Sequence, residues 1–281
     1  MLTEGEEIVV RIFRYDPSKD EHPRYETYRV PYKKYMRIID VLDEIVEVQG
    51  HSIAYRSYCG AKRCGGCAMM VNGKPTLTCW EPALKEMTIE PLANFPVIRD
   101  LVVDMSGYER VKQSLHPILE RSKPYEGFPE RIDHKKMLPA FELMDCIECL
   151  VCMAACPVLS EQNYKESKGD WNGFAGPAAL VQLAKVALDP RNGKLRDEYI
   201  RKARVDDCVS CYECVDVCPN KIPIVDAIDR LKGIDIRSGR GKLAKHAEAF
   251  TELIEESGLV NPTELITKTS KVAAIHKLPY G

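Results

Sequence analysis

The spacing of the cysteines constrains this sequence more than any other feature. Twelve of the 281 residues are cysteine, and all of them lie between Cys59 and Cys218. The N-terminus, MLTEGEEIVV, is acidic and lacks the pattern of a secretory signal. We therefore expect a reducing compartment, where a high cysteine density indicates metal or redox chemistry rather than disulfide bonds.

The first group of cysteines predicts a [2Fe–2S] cluster. Three cysteines follow the pattern C-x4-C-x2-C and a fourth comes after eleven further residues, which is the plant-type ligand pattern. Glycines inside the loop let the backbone wrap closely around a cluster and direct N–H groups at it. A structural zinc ion is the alternative, but zinc prefers paired C-x2-4-C arms. The predicted ligands are Cys59, Cys64, Cys67 and Cys79, and the loop glycines are Gly60, Gly65 and Gly66.

The second and third groups are near copies of each other. Each follows the bacterial ferredoxin run C-x2-C-x2-C-x3-C-P, in which the fourth cysteine of one run ligates the cluster of the other. The sequence therefore predicts two [4Fe–4S] clusters whose crossed ligands hold two distant segments together. One cluster is assigned to Cys146, Cys149, Cys152 and Cys218, and the other to Cys156, Cys208, Cys211 and Cys214.

The N-terminal part of the chain has the pattern of a small α+β domain. Segments rich in β-branched and aromatic residues flank turn-forming stretches, and Asn72-Gly73 is a preferred pair for a tight hairpin turn. Apolar residues recur at helical spacing between the two hairpins. Strands are predicted at 8–13, 25–30, 68–71, 75–79 and 87–90, with a helix between Ile38 and Val48.

The rest of the chain has helical periodicity. We expect residues 98–121 to form a helix, residues 122–136 to form a polar connector, and helices without strands to follow from Leu138 onward. The length favours two domains. The boundary is placed near Ser106, which gives a [2Fe–2S] domain over residues 1–106 and a helical two-cluster domain with a C-terminal extension over 107–281.

Two amphipathic helices are predicted near the C-terminus. One apolar face is formed by Leu243, Ala247, Phe250 and Ile254 and stops at Gly258. A second helix is expected to start after Asn261, because a capping Asn, a Pro at the first turn and a following Glu form a start signal. These helices either pack on their own domain or dock a partner subunit.

Several function classes are excluded by what the sequence lacks. The formal charge is −2 without any block of basic residues, so nucleic acid is not an expected partner. No glycine-rich nucleotide loop and no hydrolase or metalloprotease motif is present. The longest helical apolar stretch, 178–188, is shorter than the roughly 20 residues that cross a bilayer. We therefore expect an electron carrier with no catalytic residue of its own.

Several segments resemble the iron–sulfur subunit of the succinate dehydrogenase/fumarate reductase family over residues 7 to about 225. The resemblance implies a plant-ferredoxin-like (β-grasp) N-terminal domain and an all-α bacterial-ferredoxin-like C-terminal domain. It also implies a partner flavoprotein that holds FAD next to the [2Fe–2S] cluster and exchanges electrons with succinate or fumarate. The matching segments are Ile12-Phe13-Arg14-Tyr15-Asp16-Pro17, Pro23-Arg24-Tyr25, Arg56-Ser57, Cys64-Gly65-Gly66-Cys67-Ala68-Met69, Leu92-Ala93-Asn94-Phe95-Pro96, Arg99-Asp100-Leu101-Val102-Val103-Asp104 and Gly176-Pro177-Ala178-Ala179-Leu180.

The sequence departs from the ordinary family pattern at the later cysteine groups. Ordinary members have a non-cysteine residue where this chain has Cys211, and that substitution gives them a [3Fe–4S] third cluster. Val158-Leu159-Ser160 stands where family members that use ubiquinone have an aromatic pair. A histidine that those members carry in the third cysteine group is also missing here. The third cluster is thus predicted to be [4Fe–4S], with [3Fe–4S] beside a spectator Cys211 as the alternative.

The C-terminal tail is similar to the small iron–sulfur subunit of heterodisulfide reductases at two short segments, Lys245–Phe250 and Gly258–Asn261. This resemblance implies a variant branch in which a cysteine-rich subunit of heterodisulfide-reductase type replaces the membrane anchor. We expect a cytoplasmic subunit that reaches the membrane only through such partners. The competing hypothesis is a soluble ferredoxin-like carrier that serves another flavoenzyme, such as an acyl-CoA or heterodisulfide system.

Overall fold

In the computed structural model, which describes residues 2–164, 173–193 and 196–269, strands come first and helices follow. The strands are β1 (Glu7–Arg14), β2 (Arg24–Pro31), β3 (Ala68–Val71), β4 (Lys74–Leu77), β5 (Glu86–Glu90), β6 (Val97–Arg99) and β7 (Val102–Val103). The helices are α1 (Ile38–Asp43), α2 (Ser106–Ser114), α3 (His134–Phe141), α4 (Val151–Ala154), α5 (Pro157–Glu161), α6 (Pro177–Ala187), α7 (Asp197–Lys202), α8 (Glu213–Asp216), α9 (Ile224–Arg237), α10 (Gly241–Ser257) and α11 (Pro262–Thr269). A π-helical turn over Glu44–Val48 extends α1.

Five strands form one mixed sheet in the order β2-β1-β5-β3-β4. β1 pairs antiparallel with β2 and parallel with β5, while β3 pairs antiparallel with β4 and β5. Side chains alternate along a strand, so every second residue of β1 enters the core, and Ile8, Val10 and Ile12 are fully buried. The apolar residues of α1, including Leu42, belong to the same core. The five predicted strands are therefore present, and so is the predicted helix between the two hairpins.

The helical region is built around α6. Nine of its eleven residues are buried, so this helix has no solvent-facing side and serves as the core of the region. It contacts α2, α3, α4 and α9. The described residues after β7 contain helices and no further strand of the kind seen in the N-terminal region, in agreement with the sequence prediction.

The predicted helix over residues 98–121 is wrong at both ends. Its first part is the β6–β7 hairpin, because Asp100 adopts a left-handed conformation (φ 44°) and is fixed by tertiary contacts. The Asp100 carboxylate accepts hydrogen bonds from Tyr15 N (3.0 Å), Ala54 N (2.9 Å) and Arg14 Nε (3.0 Å). The last part fails because Pro117 follows His116, and a residue before proline disfavours the helical conformation. Only α2 remains.

The two C-terminal helices form where they were predicted. Gly258 ends α10 in a left-handed conformation (φ 71°), and the Asn261 side chain accepts a hydrogen bond from Thr263 N (3.0 Å) at the start of α11. α10 packs on α9 and buries Ala244, Ala249 and Leu253, whereas α11 packs on α10 and has no buried residue. Within the described ranges, no helix has the length and apolar character needed to cross a membrane.

Candidate iron–sulfur cluster sites

The first cysteine group lies on a loop that leads into β3. Cys59 Sγ accepts backbone N–H groups from Ala61 (3.4 Å), Arg63 (3.3 Å) and Cys64 (3.3 Å). These donors favour a negative sulfur and lower the pKa of the Cys59 thiol to about 6. The loop therefore already points N–H groups at a thiolate, which is the arrangement that an anionic iron–sulfur cluster requires.

The other two members of this group lie on the hairpin. Cys67 comes just before β3 and Cys79 shortly after β4, and both are buried. Thr78 joins the two strand ends, because its N–H (3.2 Å) and its hydroxyl (2.9 Å) both donate to the Cys67 carbonyl. Two sulfurs of the group thus come from the loop and two from the ends of the hairpin.

Four cysteines from both later groups line one cavity. The apolar part of its wall includes Leu150, Ala178 and Val181. Burial raises the pKa of Cys149 to about 12 and that of Cys152 well above its ordinary value. Four thiolates in such apolar surroundings need bound cations to balance their negative charge. The iron ions of a cluster would supply this positive charge. The cysteines of this cavity are Cys146, Cys149, Cys152 and Cys218.

Two hydrogen-bond donors face sulfurs of this first cavity. Gln182 Nε2 lies 3.6 Å from Cys146 Sγ, and Ile222 N lies 3.4 Å from Cys218 Sγ. The sequence shows Gln182 only as a polar interruption in an apolar helix, so its contact with a sulfur was not predicted. Gln182 is buried on α6, and its contact with Cys146 Sγ gives a reason for a polar residue in this apolar helix.

The remaining four cysteines line a second cavity. Phe174, Pro177 and Ile228 are among its apolar residues. Burial raises the pKa of Cys214 to about 12, whereas Cys211 is exposed. The cysteines of this cavity are Cys156, Cys208, Cys211 and Cys214. Each cavity therefore receives three cysteines from one run and the fourth from the other run.

Left-handed residues turn both runs in the same way. Glu148 and Ser210 have φ of 51°, and Leu150 and Tyr212 have φ of 63° and 66°. L-residues adopt this conformation at a cost of about 1–2 kcal/mol each. The matching strained positions turn the chain just before α4 and α8, so successive cysteines face one cavity.

A site for a single metal ion is not seen among the described residues. In the described parts of the chain, no three Cys, His, Asp or Glu side chains are arranged to hold one metal ion.

A charged network next to the first cavity was also not predicted. Glu148 lies between two of its cysteines and accepts hydrogen bonds from Tyr108 OH (2.7 Å) and Lys112 Nζ (2.8 Å). Burial alone would raise the pKa of Glu148, but these two donors hold it below its ordinary value, so the carboxylate stays ionised. At the matching position of the other run, Ser210 Oγ accepts from Lys232 Nζ (3.3 Å).

Two family models match successive parts of this chain. Residues 9–110 match the model of a 2Fe-2S iron-sulfur cluster binding domain, and residues 142–222 match that of a 4Fe-4S dicluster domain. The iron–sulfur subunit of fumarate reductase from Haemophilus influenzae is 33% identical over 242 residues, which cover 79% of this chain and 91% of that protein.

Two further similarities extend this picture. A subunit of the fumarate reductase (CoM/CoB) from Methanothermobacter marburgensis is 33% identical over 252 residues, which cover 89% of this chain and 49% of that protein. The chain thus spans about half the length of this relative. A chain of the Mycobacterium smegmatis Sdh1 complex in the apo form superposes with a TM-score of 0.72 at 25% identity, covering 83% of this chain and 97% of that one. The chain belongs to the family of iron–sulfur subunits of fumarate reductases and succinate dehydrogenases.

Proposed function

We propose that this chain is the electron-transfer subunit of a fumarate reductase or succinate dehydrogenase type of complex. It would carry electrons between an FAD-containing flavoprotein and a quinone- or thiol-linked partner subunit. The observation that carries the proposal is the pair of cavities, each lined by four cysteines from both runs. Iron–sulfur clusters, when bound, supply one-electron transfer.

The proposed ligands follow from the loop and from the two cavities. The loop and hairpin cysteines would hold a [2Fe–2S] cluster, and each cavity would hold a cluster of cubane type. The chain itself contributes the N–H donors that stabilise sulfur charge and the apolar walls that exclude water. The proposed sets are Cys59, Cys64, Cys67 and Cys79; Cys146, Cys149, Cys152 and Cys218; and Cys156, Cys208, Cys211 and Cys214. We also propose that the domain boundary lies near Ser106, where α2 begins.

The third site is proposed to hold a [4Fe–4S] cluster. Cys211 lines the same cavity as the other three cysteines of that site, so four thiols face one space. A [3Fe–4S] cluster needs only three of them. The presence of Cys211 in the wall therefore favours the four-iron form.

The proposed partners are a flavoprotein and a second electron-exchanging subunit. The flavoprotein would lie next to the Cys59–Cys67 loop, where Cys64 is exposed. The second partner would be either a membrane anchor or a cysteine-rich subunit of heterodisulfide-reductase type. Support for a thiol-linked partner comes from the relative whose name refers to CoM/CoB. Any attachment of this chain to a membrane would then be peripheral and through the partner.

Purification of the complex under anaerobic conditions and assay with fumarate and a reduced dye tests the function. Cys64→Ala is expected to abolish electron transfer from the flavoprotein to the natural acceptor. The flavoprotein's own dye-coupled activity should stay largely intact and serves as the internal control. Equal loss of both activities would point to a structural role for this loop, and absence of fumarate or succinate activity in the intact complex would favour another flavoenzyme.

A further inference from the structure

The loop of the first cysteine group lies directly against the second group at Gly65. This glycine has a left-handed conformation (φ 71°), and it is buried. A Cβ placed on Gly65 would lie 2.8 Å from Cys149 Cα, 2.9 Å from Cys149 Cβ and 3.1 Å from Cys149 N. Backbone atoms cannot yield at such distances as the end of a flexible side chain can. Any larger residue would therefore push the loop away from the Cys146–Cys156 run.

Asn94 makes a second connection between the same two parts of the chain. Its Nδ2 group donates to the carbonyls of Met153 (2.9 Å), Ala154 (3.3 Å) and Cys156 (3.3 Å). The Met153 and Ala154 carbonyls lie at the end of α4, where the last carbonyls of a helix lack partners within the helix, and the Cys156 carbonyl lies at the start of α5. α4 carries Cys152 of the first cavity and leads to Cys156 of the second. Asn94 thereby fixes the segment between Cys152 of the first cavity and Cys156 of the second.

We propose that Gly65 and Asn94 are positioning residues that set the gap between the Cys59–Cys67 loop and the first cavity. The proposal rests on the function proposed above, because a fixed gap matters when electrons pass between the two places. Electron transfer slows steeply as the distance between two centres increases. Gly65 acts through the absence of a side chain, and Asn94 acts through the two N–H groups that its amide shares among three carbonyls.

Gly50 provides a matched control outside the cysteine loop. It also has a positive φ (75°), so alanine there introduces comparable backbone strain. A Cβ on Gly50 would meet nothing within 4 Å. The two alanine variants therefore share the conformational penalty and differ in the contact with Cys149.

The test compares Gly65→Ala, Gly50→Ala and the unchanged subunit in the anaerobically purified complex. The readouts are iron content, the EPR signal of the reduced [2Fe–2S] cluster, and the magnetic interaction of that signal with the neighbouring reduced cluster. Gly65→Ala is expected to keep its iron but to weaken the magnetic interaction and slow turnover several-fold, while Gly50→Ala behaves like the unchanged protein. An unaltered interaction in Gly65→Ala, or an equal loss in Gly50→Ala, would overturn the proposal.

Asn94→Gly decides the question if Gly65→Ala does not assemble. Glycine keeps the left-handed backbone of Asn94 (φ 66°) and removes only the donated hydrogen bonds. Faster hydrogen exchange in α4 together with a weaker magnetic interaction is expected, and an unchanged interaction would refute the role of the contact. Absence of iron–sulfur signals from the unchanged complex would instead defeat the proposed function itself, so the two failures are distinguishable.

Discussion

The two later cysteine runs have the same spacing and the same left-handed turns, but their surroundings differ. Leu150 in the first run is 1% exposed, whereas Tyr212 at the matching position of the second run is 50% exposed. Gly65 and Asn94, which belong to the N-terminal region of the chain, contact the first run. In the second run, Val209 is 65% exposed and Cys211 also reaches solvent.

This difference shows that the cysteines and the residues between them have separate tasks. The cysteine spacing and the left-handed residues set the shape of the cavity, because both runs repeat them. The intervening residues decide whether the cavity is enclosed by the protein or open to a partner. Under the proposed function, the first cavity is an internal site and the second lies where electrons are exchanged with another subunit.

The largest expected effect comes from truncating the matched residues Leu150 and Tyr212. Leu150→Ala should destabilise the fold by about 2 kcal/mol or more, because it leaves a cavity in a packed core. For a chain of this size that corresponds to roughly 4 °C or more in Tm. Tyr212→Ala should change the stability by less than about 0.5 kcal/mol, because the side chain is half-exposed. Anaerobic thermal unfolding of both variants measures this, and equal losses would show that the second run is also enclosed.

The next effect concerns the proposed cysteine ligands. Cys211→Val removes an exposed thiol and should leave one iron without a thiolate, so a [3Fe–4S] EPR signal is expected in the anaerobically oxidised variant. Cys149→Val changes a buried ligand beside Gly65 and should lower the content of the whole first cluster. A strong three-iron signal in the unchanged protein would contradict a four-iron third site.

The smallest effect concerns charge. Glu148→Gln removes a carboxylate next to the first cavity and should raise the reduction potential of that cluster, because nearby negative charge disfavours reduction. Lys232→Met removes an ammonium group next to the second run and should lower the potential of the other cluster. Potentiometric titration followed by EPR measures both shifts. Shifts of the same sign in the two variants would show that these charges do not distinguish the sites.

Local patterns were sufficient to predict most of the secondary structure. Alternation and turn residues located the strands of the sheet, and Asn261 and Gly258 marked helix ends. The cysteine spacing also divides the later groups into the two sets that line the two cavities. These features depend on residues close together in sequence or on a spacing with one dominant chemical meaning.

The features that were missed depend on contacts between distant residues. The turn at Asp100 is held by Tyr15 and Ala54, which no local pattern connects to it. The contact between Gly65 and Cys149 is equally invisible, because a loop glycine looks the same whether it faces a cluster or another backbone. Whether the C-terminal helices dock a partner stays a prediction, although Phe250 and Ile254 remain 43% and 42% exposed.

The crossing of the fourth cysteines also limits the order in which the molecule can be built. On the ribosome, the cysteines between residues 59 and 79 emerge together, so the N-terminal set is complete early in synthesis. The second cavity lacks three of its cysteines until Cys208, Cys211 and Cys214 have emerged, and the first lacks one until Cys218 has emerged. Under the proposed function, clusters can therefore enter both cavities only late, after nearly the whole family-matching part of the chain has been made.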